Sequence, residues 1–506
     1  MVSFTLVPLF ILTGIILRWC YSTHIHRKTS PPGPFPLPII GNLHLLGKLP
    51  HCAFYKLSQR YGPIMSIHLG SINCVVVSSP DGAKLFFGTH DAILTSRPKL
   101  ELAKYLYYGN KGILLTEGEY WRNVRKLCTM ELFTPMKING FAKMRNEEIK
   151  AMIKDVKVWC LSSEIVNLGE FVGRVIEGMT CRMLFGFKND KTFVFKKLVD
   201  DVAEALGTKN LADFIPMLKP FDLQGLVPQF KSLSKNIDAM LETLINEQEK
   251  RNASMIQRSD EPDFLDILLS VKDKYSTDDK NPSNAIDRSS IKALLIDVIS
   301  GSIDTSRSTI EWVLSNLVKH PRVMKKLQNE IKNVVGDKSV VEETDLEKLS
   351  YLHMVIKETF RLYPVVPLLM PHVSTQDVVI NGYYIPKETH VYVNVWAFGR
   401  DPSVWSENWA EFVPERFDDK EIDFRGPNFQ LMISGTGRRG CPAMNLGLLN
   451  VGLIVSNLVH CFDWMLPNDM SPSELDMDDK FTLSMCKLNS LVAIPTERIV
   501  ADVLGH

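Results

Sequence analysis

The sequence has no surplus of either charge: 58 Lys and Arg stand against 58 Asp and Glu in 506 residues. A neutral chain builds no long-range field for polyanions, so no nucleic-acid partner is expected. The nine cysteines are odd in number, scattered and never spaced CxxC. That pattern argues against a disulfide framework or a structural zinc site and for a reducing compartment with mostly buried thiols. No repeats or low-complexity tracts follow residue 38, which leaves a non-repetitive globular body. The N-terminus also lacks what a cleaved signal peptide needs. Met1-Val2-Ser3 has no basic residue, and Cys20-Tyr21-Ser22-Thr23 is a poor small-residue cleavage site.

A retained anchor fits the start better. Val2 to Leu17 is uncharged and rich in Leu, Ile, Val and Phe, with Trp19 and Tyr21 as interfacial aromatics and Arg18, Arg27 and Lys28 beyond. The run is near the short end of the roughly 17–25 residues that span a bilayer, and the basic residues place the following chain in the cytoplasm. Pro31-Pro32-Gly33-Pro34-Phe35-Pro36-Leu37-Pro38 then reads as a stiff, extended spacer. Three segments are expected: an anchor over 1–21, a basic and proline-rich hinge over 22–38, and a body over 39–506.

Within the body, Leu43 to Val77 reads as a helix followed by short strands, and Trp121 to Lys250 as mostly helical. Asn252 to Asn284 is polar, and parts of it are expected to be surface loop. Its Asn252-Ala253-Ser254 acceptor would go unused in a cytoplasmic body. A long helix should run from Ser289 to Lys319, with Pro321 as a stop. Further helices are expected over Arg322–Val335, Leu346–Tyr363 and Ala443–Phe462. Short strands are expected over Val378–Ile385, His390–Val395 and Leu491–Ile494.

The chemistry concentrates in Ser434-Gly435-Thr436-Gly437-Arg438-Arg439-Gly440-Cys441-Pro442-Ala443. Glycines let backbone approach a flat cofactor. A cysteine just before a helix holds its thiolate near orphan N–H groups that favour negative charge. The same stretch matches GxGxxG, the dinucleotide fingerprint, with Phe429 to Ile433 as its strand. Too few residues follow Gly440 for a doubly wound sheet, and arginines stand where pyrophosphate needs bare backbone.

The loop resembles the haem-binding signature of cytochrome P-450 monooxygenases, FxxGxRxCxG, through Gly437, Arg439 and Cys441. It departs in Ser434 for the usual phenylalanine and Ala443 for the last glycine. Other family motifs follow in order. Glu358-Thr359-Phe360-Arg361 matches ExxR, whose spacing puts both side chains on one helix face. Arg416 in Pro414-Glu415-Arg416-Phe417 resembles its third partner. Trp121-Arg122-Asn123-Val124-Arg125 matches WxxxR, and His372 follows Pro371. Gly301-Ser302-Ile303-Asp304-Thr305-Ser306 resembles (A/G)GxDTT. The likeness is closest to plant A-type members and covers nearly the whole chain.

The resemblance implies a mainly α fold with small β-sheets, the cytochrome P-450 fold, preceded by one N-terminal transmembrane helix in the endoplasmic reticulum membrane. It implies haem b with Cys441 as the axial ligand of the iron. Trp121, Arg125, His372 and Arg439 would address the propionates, and Glu358, Arg361 and Arg416 would form a structural network. Thr305 would hydrogen-bond activated oxygen, and Asp304 would connect that relay to solvent as a general acid. The implied activity is O2-dependent monooxygenation of a small apolar plant metabolite: a phenylpropanoid or coumarin, a terpenoid or an alkaloid. No flavin or NADPH module is present in the sequence, so electrons would come from NADPH indirectly, through a separate reductase docking near Arg122, Lys126 and Arg438. By position, Tyr105–Leu115, Val365–Met370 and Thr482–Cys486 would line the pocket. Ser434 is expected to alter the haem potential. Two other readings stay open: oxidative cyclisation, coupling or dehydration on the same fold, and a non-enzymatic haem sensor.

Overall fold

The computed structural model describes residues 29–186, 193–254, 262–275, 286–418, 422–424, 429–482 and 484–499. The expected anchor and the first part of the hinge lie outside the described residues. Among those described, one helix is long and apolar enough to cross a membrane, Met444–Cys461, and most of it is buried inside the fold.

The principal helices are α1 (Pro50–Tyr61), α2 (Gly118–Leu127), α3 (Ala142–Ser162), α4 (Leu168–Phe185), α5 (Phe193–Gly207), α6 (Leu226–Ser254), α7 (Phe264–Tyr275), α8 (Arg288–Lys319), α9 (Pro321–Val335), α10 (Ser350–Leu362) and α11 (Met444–Cys461). Helix α8 starts where a capping box allows it: the Asp287 carboxylate accepts from the Ser290 N–H at 2.8 Å, and Ser290 Oγ lies 3.2 Å from the Asp287 N–H. It packs against α4 on one side and α11 on another. Its apolar residues are buried around most of its circumference, the mark of a central helix.

Sheets are small. Strands β1 (Ile64–Leu69) and β2 (Ile72–Val77) form a hairpin. With β4 (His372–Val373) and β7 (His390–Val393) they make a four-stranded sheet in which β2 and β7 run parallel. Strand β3 (Val166–Asn167) pairs with β11 (Val492–Glu497), which also takes β8 (Phe462–Met465). Two hairpins complete the set: β5 (Val378–Ile380) with β6 (Tyr383–Ile385), and β9 (Asp479–Phe481) with β10 (Met485–Lys487).

The end of the proline stretch is docked. Ser66 donates its backbone N–H to the Pro32 carbonyl at 2.8 Å and its hydroxyl to the Pro31 carbonyl at 2.7 Å. Three expected boundaries move for local reasons. The helix expected over Leu346–Tyr363 breaks into a turn, Glu343–Leu346, and α10, which starts afresh where the Glu330 carboxylate accepts the Tyr351 and Leu352 N–H groups at 2.7 and 3.0 Å. The strand expected to reach Val395 stops at Val393, where Asn394 caps the next turn through the Ala397 N–H at 3.3 Å. Pro321 opens α9 at its first position as well as ending α8. Within the polar stretch after Asn252, α6 continues to Ser254 and α7 occupies the middle.

Candidate active site

A cavity of about 340 Å³ lies at the centre of the molecule, between α8 and the loop that precedes α11. Cys441 stands on one wall, and Gly301 and Thr305 of α8 also line it. The cysteine loop is set by its own backbone. Gly435 and Gly437 have φ of +73° and +63°, and a Cβ at Gly437 would come within 2.4 Å of the Asp91 carboxylate. Asp91 accepts the Arg438 N–H at 3.2 Å, and the Cys441 N–H donates to the Ser434 carbonyl at 3.0 Å. These bonds present the Cys441 side chain outward, exposed to the cavity. Ser434 lines the cavity too, beside the cysteine.

On α8 the Thr305 hydroxyl donates to the Gly301 carbonyl at 2.7 Å, and nothing lies within 4 Å of where a Gly301 Cβ would be. The helix therefore offers the cavity an open notch. Asp304 turns away from it. Its carboxylate is buried, accepts a hydrogen bond from Ser484, and meets Arg307 at 3.2 Å.

A third wall is cationic. Arg439 is buried, donates to the carbonyls of Thr95, at 2.7 Å, and Thr116, and stacks 3.9 Å from the Trp121 ring centroid. Burial, with Arg97 and Arg125 nearby, pushes its guanidinium down to about 9. Arg97 donates to the carbonyls of Met370 and Pro371 at 2.7 and 2.9 Å, and burial pushes it down to about 10. Its Nε is buried with no hydrogen-bond partner. His372 pairs Nδ1 with the Leu94 carbonyl at 2.6 Å, and burial followed by the Arg97 charge holds it well below the usual histidine range. All four residues line the cavity with Arg125. Crowded, desolvated cations with an unfilled Nε call for an anion, and a flat group carrying two carboxylates beside a thiolate meets that demand. These residues fit haem.

Sequence reasoning missed Arg97, which sits in an ordinary-looking Ser96-Arg97-Pro98-Lys99 stretch with no signal of burial. It also missed Asp297. This carboxylate lines the cavity and accepts the N–H groups of Ile113 and Leu114 at 2.6 and 3.1 Å, tying that loop to α8. Its signal is a lone acid within the apolar run Leu294-Leu295-Ile296-Asp297-Val298-Ile299. The pocket segments are partly corrected. Ile113, Leu114, Val365, Val366, Leu369, Met370 and Ser484 line the cavity, but Tyr105, Tyr107 and Tyr108 do not. Tyr108 instead donates to Asp238 at 2.7 Å.

Glu358, Arg361 and Arg416 meet away from the cavity. Arg361 grips Glu358 with Nε and Nη2 at 2.7 and 2.8 Å, and Arg416 Nε adds a bond at 3.0 Å. Burial raises the Asp297 carboxyl to about 7 despite its two backbone donors. A raised carboxyl means the folded state holds its proton more tightly. The stability this group contributes is therefore complete in acid and falls as pH rises from the ordinary carboxylate range through about 7. Asp297→Asn should lack that part of the decline, checked by urea midpoints on either side of the window.

Fold and cavity define a mainly helical enzyme with a buried, cation-walled cofactor pocket. The family profile of cytochrome P450 matches residues 31–489. The chain is 49% identical over 495 residues to cytochrome P450 CYP736A12 of Panax ginseng, covering 97% of this chain and 98% of that protein. It is 38% identical over 488 residues to the norfluorocurarine oxidase of Strychnos, covering 94% of each. A zebra fish cytochrome P450 solved with abiraterone shares the fold at a TM-score of 0.74 and 23% identity, over 89% of this chain and 100% of that one. The chain belongs to the cytochrome P450 family. It is an oxidoreductase of the monooxygenase class with haem b as cofactor, and NADPH acting through a reductase is standard for the family.

Proposed function

We propose that the cavity holds haem with Cys441 as iron ligand and Arg97, Arg125, Trp121, His372 and Arg439 around its propionates, and that the enzyme hydroxylates or otherwise oxidises a small apolar plant specialised metabolite. The observation that carries this is the arrangement of three walls: cysteine, α8 notch and buried cations around one space. When bound, thiolate-ligated haem supplies O2 activation and favours O–O cleavage. The protein's part is binding, orientation and proton supply. The apolar lining from Val365, Val366 and Leu369 holds the substrate and excludes water. Thr305 presents its hydroxyl at the notch, and Asp304 supplies protons. Burial first, and then the Arg97 and Arg439 charges, favour the neutral form of His372.

The plant relatives, one of them named norfluorocurarine oxidase, support the metabolite class. The reductase would approach over Arg122, Lys126 and Arg438, all three exposed. Residues 1–21 would anchor the chain in the endoplasmic reticulum membrane, and residues 22–38 would join anchor to body. Exposed Phe35, Leu37 and Ile39 beside the docked prolines are consistent with a body resting on the bilayer. Reconstitution with reductase and NADPH against a panel of phenylpropanoids, coumarins, terpenoids and alkaloids tests the proposal. An NADPH-dependent oxidised product is expected, and none across the panel would count against it.

Arg97 carries a second expectation. A hydrogen bond to a charged group contributes about 1.5–3 kcal/mol, or about 10- to 100-fold in affinity. Arg97→Gln should weaken haem retention by that order, read as the rate of haem transfer to excess apomyoglobin.

A further inference from the structure

The proposed site leaves one link unmade. Asp304 is the acid of the relay, yet its carboxylate does not bond to Thr305, whose hydroxyl is committed to the Gly301 carbonyl at 2.7 Å. Asp304 does not line the large cavity. It borders a second, small one of about 10 Å³ with Glu170, Glu177, Asp200 and Arg307, close to the least volume that admits a water. Arg307 joins Asp304, at 3.2 Å, to half-exposed Asp200, at 4.0 Å. The outward half of a proton route is therefore present, and the inward half must come from another residue.

Ser484 supplies it. Its hydroxyl donates to Asp304 Oδ2, and among the described residues it is the cavity-lining side chain that does so. The contact joins residues 180 apart in sequence. The same hydroxyl lies 3.2 Å from the Cys486 thiol, which in turn lies 3.1 Å from Ser308. That gives Ser484 Oγ a second partner while its proton is turned elsewhere. Ser484 is fully buried, so it stands within the wall between the large cavity and Asp304 and opens neither to the other.

We propose that Ser484 is a positioning residue for Asp304, and that its hydroxyl is the step by which a proton passes from Asp304 into the haem cavity. The inference rests on the haem reading above. In the transfer, protonated Asp304 gives its proton to Ser484 Oγ as the Ser484 O–H bond breaks, and the proton released there is taken up by a water in the cavity. Asp304 is then reprotonated from water through the small cavity beside Arg307. One proton moves inward and no electrons are exchanged.

The test uses the holoenzyme with reductase, NADPH and O2, without added metabolite, in Ser484→Ala, Ser484→Thr, Asp304→Asn and the Ser484→Ala/Asp304→Asn pair. NADPH oxidation should slow by about tenfold in Ser484→Ala, below the ~100-fold of a complete acid loss, with an enlarged solvent deuterium isotope effect. Thr should restore both. The pair should be no slower than Asp304→Asn alone, because both act on one path. Independently of turnover, the carbon-monoxide photolysis infrared spectrum should show an Asp304 carboxyl band, identified by its loss in Asp304→Asn. That band should shift in Ser484→Ala and return in Ser484→Thr. Additive rate losses, or a band indifferent to Ser484→Ala, would overturn the inference. Absence of the thiolate carbon-monoxide band in wild type would instead remove the haem reading beneath it.

Discussion

Cys441→Ala should abolish the long-wavelength Soret band of the reduced carbon-monoxide complex and all reductase-driven product formation, while the helical far-ultraviolet spectrum stays as in wild type. The band reports thiolate ligation, and alanine has no donor atom to replace the sulfur. The fold should survive because the Cys441 side chain is exposed to the cavity and its loop is held by backbone bonds, from Cys441 N–H to Ser434 and from Arg438 N–H to Asp91. A competing thiol makes the experiment discriminating. Cys128 also lines the cavity, but it is buried, and burial followed by the Asp297 charge pushes its thiol up to about 12. A thiol held that firmly in its protonated form is a poor ligand. Cys128→Ala should therefore keep the band. Loss of the band in Cys128→Ala with retention in Cys441→Ala would reverse the assignment of the ligand and sink this reading of the loop.

What could be read from the sequence was local. The cysteine loop shows itself because two left-handed glycines must stand at fixed offsets, one of them against Asp91. Helix α8 shows itself through an apolar run and a following proline, while its Asp287 cap shows only in the structure. Glu358 and Arg361 are three apart on one helix, so their pairing is written in their spacing. Sequence reasoning misses Arg97 and Asp297, and it places Ser484 in the pocket wall without its bond to Asp304; all three work across long separations. Arg97 meets the Met370 carbonyl 273 positions on, Asp297 meets the Ile113 N–H at a separation of 184, and Ser484 meets Asp304 at 180. No periodicity encodes such contacts. Burial also reverses how a residue reads: Arg97 in a polar stretch is expected at the surface, while Tyr108 in an apolar stretch is expected in the pocket and instead bonds to Asp238. The helix expected over Leu346–Tyr363 failed for a smaller reason. Continuous apolar spacing hid a new start at Ser350, where Glu330, twenty residues back, takes the first N–H groups of α10.

Glu358→Ala should prevent holoenzyme from accumulating, although Glu358 touches nothing in the cavity. Its carboxylate is fully buried and receives four donors: Nε and Nη2 of Arg361, Nε of Arg416 and the Val413 N–H at 2.8 Å. Arg361 spends its three other N–H groups on the Gly399, Trp409 and Glu411 carbonyls, and Arg416 reaches those of Trp405 and Asn408, both at 3.0 Å. The network thus clamps residues 399–416, the stretch leading to the cysteine loop, onto α10. Removing the carboxylate leaves two buried guanidiniums facing each other without a counter-charge. Breaking a buried pair from one side costs about 3–5 kcal/mol, a large part of the roughly 5–15 kcal/mol that holds a domain folded. Glu415 provides the contrast on the same segment. It pairs with Arg322 and Lys326, whose side chains are 65% and 49% exposed, and such pairs contribute about 1 kcal/mol or less. Glu415→Gln should therefore yield nearly normal haem per protein while Glu358→Ala yields almost none. Equal haem content in the two variants would mean that the buried carboxylate does not hold the cysteine loop in place. The stretch from Gly399 to Arg416 would then have to be fixed by its apolar contacts alone, through Trp405, Phe412 and Phe417.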